Sequence, residues 1–120
     1  MTRRKTGPDR ATVDLVRARD GDRCRRCRSQ YEQIHHRKPR GMGGTKDPAI
    51  NSPENLVCVC QDCHSWIETH RAQARTEGWL VSQWGDPASV PLVIDRFPVW
   101  LGADGITYPR KDDHNALLLR

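Results

Sequence analysis

Aromatic side chains are scarce in this chain. One Phe, two Tyr and four Trp make up 6% of 120 residues, and the apolar fraction is 36%. A large hydrophobic core is therefore excluded, and a single domain of this length needs another staple. Long apolar runs are missing too: no stretch approaches the roughly 20 residues that span a bilayer. The basic start, MTRRKTGPDR, has no apolar run behind it, which argues against a secretory signal. The expectation is a soluble, intracellular, cytoplasmic protein. Acidic residues are few in the first part of the chain. Residues 1–46 carry 14 Lys/Arg against 5 Asp/Glu, a balance of +9, whereas residues 47–120 balance at −4. Such a cationic half suits a polyanionic partner better than a merely solubilising surface. There is no internal repeat and no low-complexity segment.

What is present is cysteine, in an odd number. Cys24, Cys27, Cys58, Cys60 and Cys63 do not suit a disulfide framework in a chain without a secretion signal. Four of them form CRRC (24–27) and CQDC (60–63), the paired spacing of a tetrahedral Zn²⁺ site with metal–sulfur bonds of about 2.3 Å. A redox CxxC is the alternative, but no βαβ pattern surrounds either pair. Zinc binding would also supply the missing staple, because it is itself folding free energy. Cys58 alternates with Leu56 and Cys60 in LVCVC and is expected as a small buried apolar residue.

Residues 1–8 read as a flexible basic arm. PDRATVDLVRARDG reads as a helix, capped by Asp9, striped by Val13 and Val16 with Ala11 or Leu15, and stopped by Gly21. YEQIHH and LVCVC are short strands, and the Gly- and Pro-rich segment between them is a loop. HSWIETHRAQARTEG is expected as one helix ending at Gly78. From Trp79 the pattern changes to short apolar runs around an ADG turn, which suggests β-hairpins. The last ten residues are read as a short helix or a disordered tail. The expected organisation is an arm (1–8), a core domain (9–83) and a C-terminal extension (84–120) covering it.

In chain order the constellation is CxxC, strand, His35-His36, Gly-rich loop, Asn55, strand, CxxC and His64 at a helix start. The stretches IHHRKPRGMGG, NSPENLVCVC, CHSWIETHR and GWLV resemble the HNH endonuclease family, in particular small HNH nucleases of tailed phages. The likeness covers roughly Asp20 to Gly78. It implies an α+β fold: a small zinc-stapled ββα-metal core, here with an N-terminal helix and a C-terminal β-hairpin extension. It further implies that His36 is the general base, that Asn55 orients it, and that His35 and His64 hold a catalytic divalent ion. Adjacent strand residues point to opposite sides, so the two histidines can do different work.

Glu68, four residues after His64, is either a third ligand of that ion or a solvated helix charge; His70 is an accessory phosphate contact or a surface residue. Mg²⁺ or Mn²⁺ suits the oxygen ligand, and imidazoles also accept Ni²⁺, Co²⁺ or Zn²⁺. Arg37, Lys38 and Arg40 in the basic run, and Arg25 and Arg26 in the first knuckle, are candidate phosphate contacts. By resemblance the reaction is metal-dependent hydrolysis of DNA phosphodiesters, in phage genome packaging beside a terminase large subunit and a portal. The competing reading is a non-catalytic zinc module that binds nucleic acid; a redox protein ranks third.

Overall fold

The structure is a computed structural model that describes residues 7–39 and 48–110. The basic arm through residue 6, Arg40 with the three loop glycines, and the tail from residue 111 lie outside the described residues.

Helix α1 (Arg10–Asp20) begins where Asp9 accepts a hydrogen bond from the Thr12 N–H at 2.8 Å, and ends at Gly21 in the left-handed region at φ +69°. Val16 is its fully buried apolar residue, while Ala11 and Leu15 stay exposed. The C-terminal turn is fixed by charge. Both oxygens of the buried Asp20 carboxylate accept from Arg19, Oδ1 also accepts from Arg25 at 2.8 Å, and Oδ2 from the Cys58 N–H at 2.9 Å. Arg19 in turn donates to the carbonyls of Pro53 and Leu56. A buried ion pair adds little net stability, but breaking one is costly. This cluster sets where α1 and the first knuckle sit on the sheet.

Strands β1 (Gln33–His36) and β2 (Leu56–Val59) pair antiparallel, with His35 opposite Val57 and His36 opposite Leu56. Leu56, Cys58 and Ile34 pack with Val16 under α1. Val57 and Val59 face the main core, which also holds Ile67, Trp79, Leu92 and Leu101. Because β2 is covered on both sides, it reads as an unbroken apolar run. Two 3-10 turns, Pro48–Asn51 and Pro53–Asn55, lead into it.

The helix expected as one piece is two. Helix α2 (Gln61–Thr69) starts inside the second knuckle, capped by Cys60, and α3 (Arg71–Thr76) follows a break at His70 (φ −119°, ψ 51°). Neither Pro nor Gly causes the break. The Thr69 hydroxyl donates to the Ser65 carbonyl, and the His70 ring stacks on Trp66 at 5.2 Å. Such side-chain bonds compete with helix continuation. Past α3, Gly78 has φ +81°, and a Cβ there would lie 2.0 Å from the Pro91 carbonyl oxygen. Only glycine permits that crossing.

A three-stranded antiparallel meander follows: β3 (Leu92–Ile94), β4 (Phe97–Leu101) and β5 (Thr107–Tyr108). Asp95 and Arg96, both at positive φ, make the two-residue turn between β3 and β4. The ADG turn joins β4 to β5. Leu92 and Leu101 insert into the main core, so the meander completes it. No helix among the described residues is long and apolar enough to cross a membrane.

Candidate metal centre and histidine cleft

The first knuckle is folded by its own backbone. The Cys24 N–H donates to the Ser29 carbonyl, the Arg28 N–H to the Cys24 carbonyl, and the Arg25 N–H to the Cys58 carbonyl on β2. In the second knuckle Cys60 caps α2, its sulfur accepting from the Cys63 N–H at 3.4 Å. The sulfurs of Cys24, Cys27, Cys60 and Cys63 thereby lie within 4.8 Å of one another, and those of Cys27 and Cys60 are 3.6 Å apart. Sulfurs around a tetrahedral Zn²⁺ stand about 3.8 Å apart, whereas a disulfide would need about 2.05 Å. The four thiols fit an ion and are unpaired as disulfides.

Two of these thiols differ in acidity. Hydrogen bonds from Ser29 hold the Cys27 thiol down to about 6, while burial pushes Cys63 up to about 12. Buried thiolates need a cation beside them. The Arg26 guanidinium approaches Cys63 at 3.6 Å while stacked 3.7 Å over Trp66. Cys58 stands apart, fully buried against Val16 and Leu56, its thiol raised to about 12 by burial. Among the described residues the four thiols are the one group of His, Cys, Asp or Glu gathered for a metal ion.

The histidines occupy a neighbouring cleft of about 310 Å³, lined by His35, His36, His64, Glu68, Pro39 and Leu80. His35 is 5% exposed, and its Nε2 lies 2.7 Å from the Trp79 carbonyl oxygen. A carbonyl only accepts, so Nε2 carries the proton and Nδ1 keeps its lone pair. Burial above all lowers the His35 pKa to about 4, so the ring stays neutral. Its ring meets that of His64 edge-on at 5.6 Å. His64 Nε2 lies 3.9 Å from Glu68, whose other oxygen pairs with Arg71 at 3.0 Å. His36 has a different partner: its Nε2–H donates to Oδ1 of Asn51 at 2.8 Å.

Asn55 does not touch the His36 ring. Its buried carboxamide accepts from the Lys38 N–H at 2.7 Å and donates to the carbonyls of Ile50 (2.8 Å) and Lys38 (3.2 Å). It thus ties the end of β1 to the 3-10 turn carrying Asn51. Asn51 itself was missed in the sequence. The signal available was a second Asn four residues before Asn55, in PAINSPEN.

The basic residues need correction. Arg37 is fully buried, its guanidinium donating to the carbonyls of Gly78, Glu54, Pro87 and Val90 at 2.7–3.1 Å. Burial lowers its pKa to about 9. It is a structural hub, and its burial keeps the guanidinium from meeting a phosphate. Arg25 is spent on Asp20, the Arg19 carbonyl and Thr107, and Arg26 on Trp66 and Cys63. The Lys38 ammonium donates to the Gly85 carbonyl at 3.1 Å. His70 lies on the exposed side of the α2–α3 break, against Trp66.

A hairpin bound to a helix by four convergent cysteines defines a metal-stapled ββα unit, the class to which fold and site assign this protein. The family model described as HNH endonuclease matches residues 24–69, and that segment is an HNH endonuclease-family domain. No curated protein and no solved structure matches the chain. An HNH domain supports a nuclease-type or nucleic-acid-binding function.

Proposed function

We propose that the chain is a metal-dependent HNH endonuclease that hydrolyses DNA phosphodiester bonds. One observation carries the reading: a single cleft is lined by two adjacent histidines with different hydrogen-bond partners, together with His64 and Glu68. His36 gives its Nε2–H to Asn51, which leaves Nδ1 as a proton acceptor. That nitrogen takes a proton from water, and the resulting hydroxide attacks phosphorus in line as the 3′ oxygen departs. His35, His64 and Glu68 offer two imidazoles and a carboxylate, a donor set suited to a divalent ion. His35 already donates its one N–H, at Nε2, to a carbonyl, the usual arrangement behind an imidazole that ligates through its other nitrogen. When bound there, the ion supplies positive charge for the transition state and the leaving oxygen. The four cysteines hold Zn²⁺ and keep the cleft's walls in place. Work beside a terminase large subunit and a portal is proposed on the family resemblance alone.

The test is plasmid cleavage by zinc-loaded protein with added Mg²⁺, Mn²⁺ or Ni²⁺, wild type beside His36→Ala. Cutting by wild type and none by the variant supports the nuclease. If neither cuts in any metal while both bind DNA equally, the chain is a zinc-stapled binding module.

A further inference from the structure

The histidine cleft shares Pro39 and Leu80 with a second, adjacent concavity of about 320 Å³, bounded by Arg71, Arg75, Gln83 and Trp84. No carboxylate lines it. Trp84 is 86% exposed. An isolated exposed aromatic is ordinary, but the turn that carries this one is held in place. The Gly85 N–H donates to the Ser82 carbonyl at 2.8 Å and the Trp84 N–H to Ser82 Oγ at 3.2 Å. The turn is then fastened to the residues directly after His36. Lys38 donates to the Gly85 carbonyl, and the Val81 N–H donates to the Arg37 carbonyl at 2.8 Å.

The flanking charges are cationic. Arg75 pairs with no carboxylate among the described residues. Arg71 shares Glu68, whose other oxygen faces His64. A cationic groove with an aromatic platform is the arrangement that grips single-stranded nucleic acid, phosphates on the arginines and a base on the ring. In a duplex both faces of each base are already stacked, so an indole on this turn finds no partner unless a base is unpaired.

We infer that this concavity is a strand groove in which Trp84 stacks on an unpaired DNA base while Arg75 and Arg71 contact flanking phosphates. The wall shared with the histidine cleft, Pro39 and Leu80, would set the scissile phosphate near the stacked base. The groove rests on the nuclease reading for that register, although binding itself needs no cleavage. The substrate it fits is DNA with unpaired bases: a single strand, a frayed end or a flap.

The test uses the zinc-loaded full chain carrying His36→Ala, so that the probe is not cut, and a fluorescein-labelled 12-nucleotide oligo-dT read by anisotropy with Mg²⁺ present. Trp84→Ala is expected to weaken binding about tenfold and Trp84→Phe under about threefold. An abasic nucleotide at one position of the probe should reproduce the loss and cost nothing further in the Trp84→Ala protein. Arg75→Ala should lessen the slope of log affinity against log salt by about 0.7. Unchanged affinity in Trp84→Ala overturns the groove, as does equal dependence on Trp84 for a 12-base-pair duplex. If wild type cuts nothing in any metal yet binding depends on Trp84 as described, the nuclease reading falls and the groove stands. Cleavage with indifference to Trp84 gives the reverse.

Discussion

Nε2 of His36 lies 2.8 Å from Oδ1 of Asn51, across a separation of 15 residues. Asn51 ends a 3-10 turn that is itself tied to β1 through Asn55. One asparagine thus holds the imidazole, and the other holds the backbone on which both depend.

Replacing Asn51 should therefore impair cleavage without unfolding the protein. For Asn51→Leu we expect a loss of roughly ten- to a hundredfold in cleavage rate. Asn51→Asp, which still accepts the Nε2–H, should recover most of it. Nitrogen-15 shifts of the His36 ring report the tautomer directly: a mixture in Asn51→Leu and the Nε2–H form in wild type are the expected pair. A wild-type ring already in the mixed state would sink this assignment.

The cysteines separate by role. Cys60→Ser should abolish stoichiometric zinc and lower the melting temperature steeply, because the ion's binding energy is spent on folding. Cys58→Ala should retain one zinc per chain and cost about 1 kcal/mol, the loss of one small buried side chain. Elemental analysis beside thermal melts checks both. Zinc loss in Cys58→Ala would place it in the metal site.

Acid should weaken the fold partly through His35. Its folded pKa of about 4 lies below the ordinary 6.5, so between these values the unfolded chain binds more protons. Stability is then full above pH 6.5 and falls as the pH drops toward 4, by about 3 kcal/mol if the whole shift is realised. Thiolate protonation at the zinc site acts in the same direction, so the comparison is with His35→Gln. Wild type should lose more stability between pH 7.5 and 5 than this variant does. Equal losses would assign the acid sensitivity to the cysteines alone.

Arg37→Ala should destabilise on the order of 3–5 kcal/mol, since it leaves buried carbonyls without donors and opens a cavity. Urea denaturation measures it. A variant of unchanged stability but weaker, less salt-dependent DNA binding would return Arg37 to the phosphate-contacting role.

The parts of this molecule legible in its sequence are those whose chemistry is local. Two CxxC pairs announce a thiolate tetrad because each knuckle closes on itself, and Asp9 and Gly21 mark α1 because caps act within one turn. The β-branched run LVCVC marked β2. Arg37 was misplaced because its run, RKPR, reads as surface charge, while its partners are main-chain carbonyls that every residue possesses. Those of Pro87 and Val90 lie 50 and 53 residues away. The break at His70 escaped for a related reason: no helix breaker marks it, only a threonine hydroxyl and a ring stacked on Trp66. Asn51 was hidden by Asn55, whose match to a motif drew attention from its neighbour.

Gly78, Pro91 and the Arg37 guanidinium together bear on where the folded unit ends. A fragment cut after residue 83 would keep every proposed ligand, the proposed base and all four zinc cysteines. It would also lose the Pro87 and Val90 carbonyls from around a buried cation and strip Leu92 and Leu101 from the core. The family-matched segment is thus not a cassette that can be transplanted to another host protein. Any chimera built from it must carry the meander along, because the strand bearing His35 and His36 is braced from a part of the chain that holds none of the proposed catalytic residues.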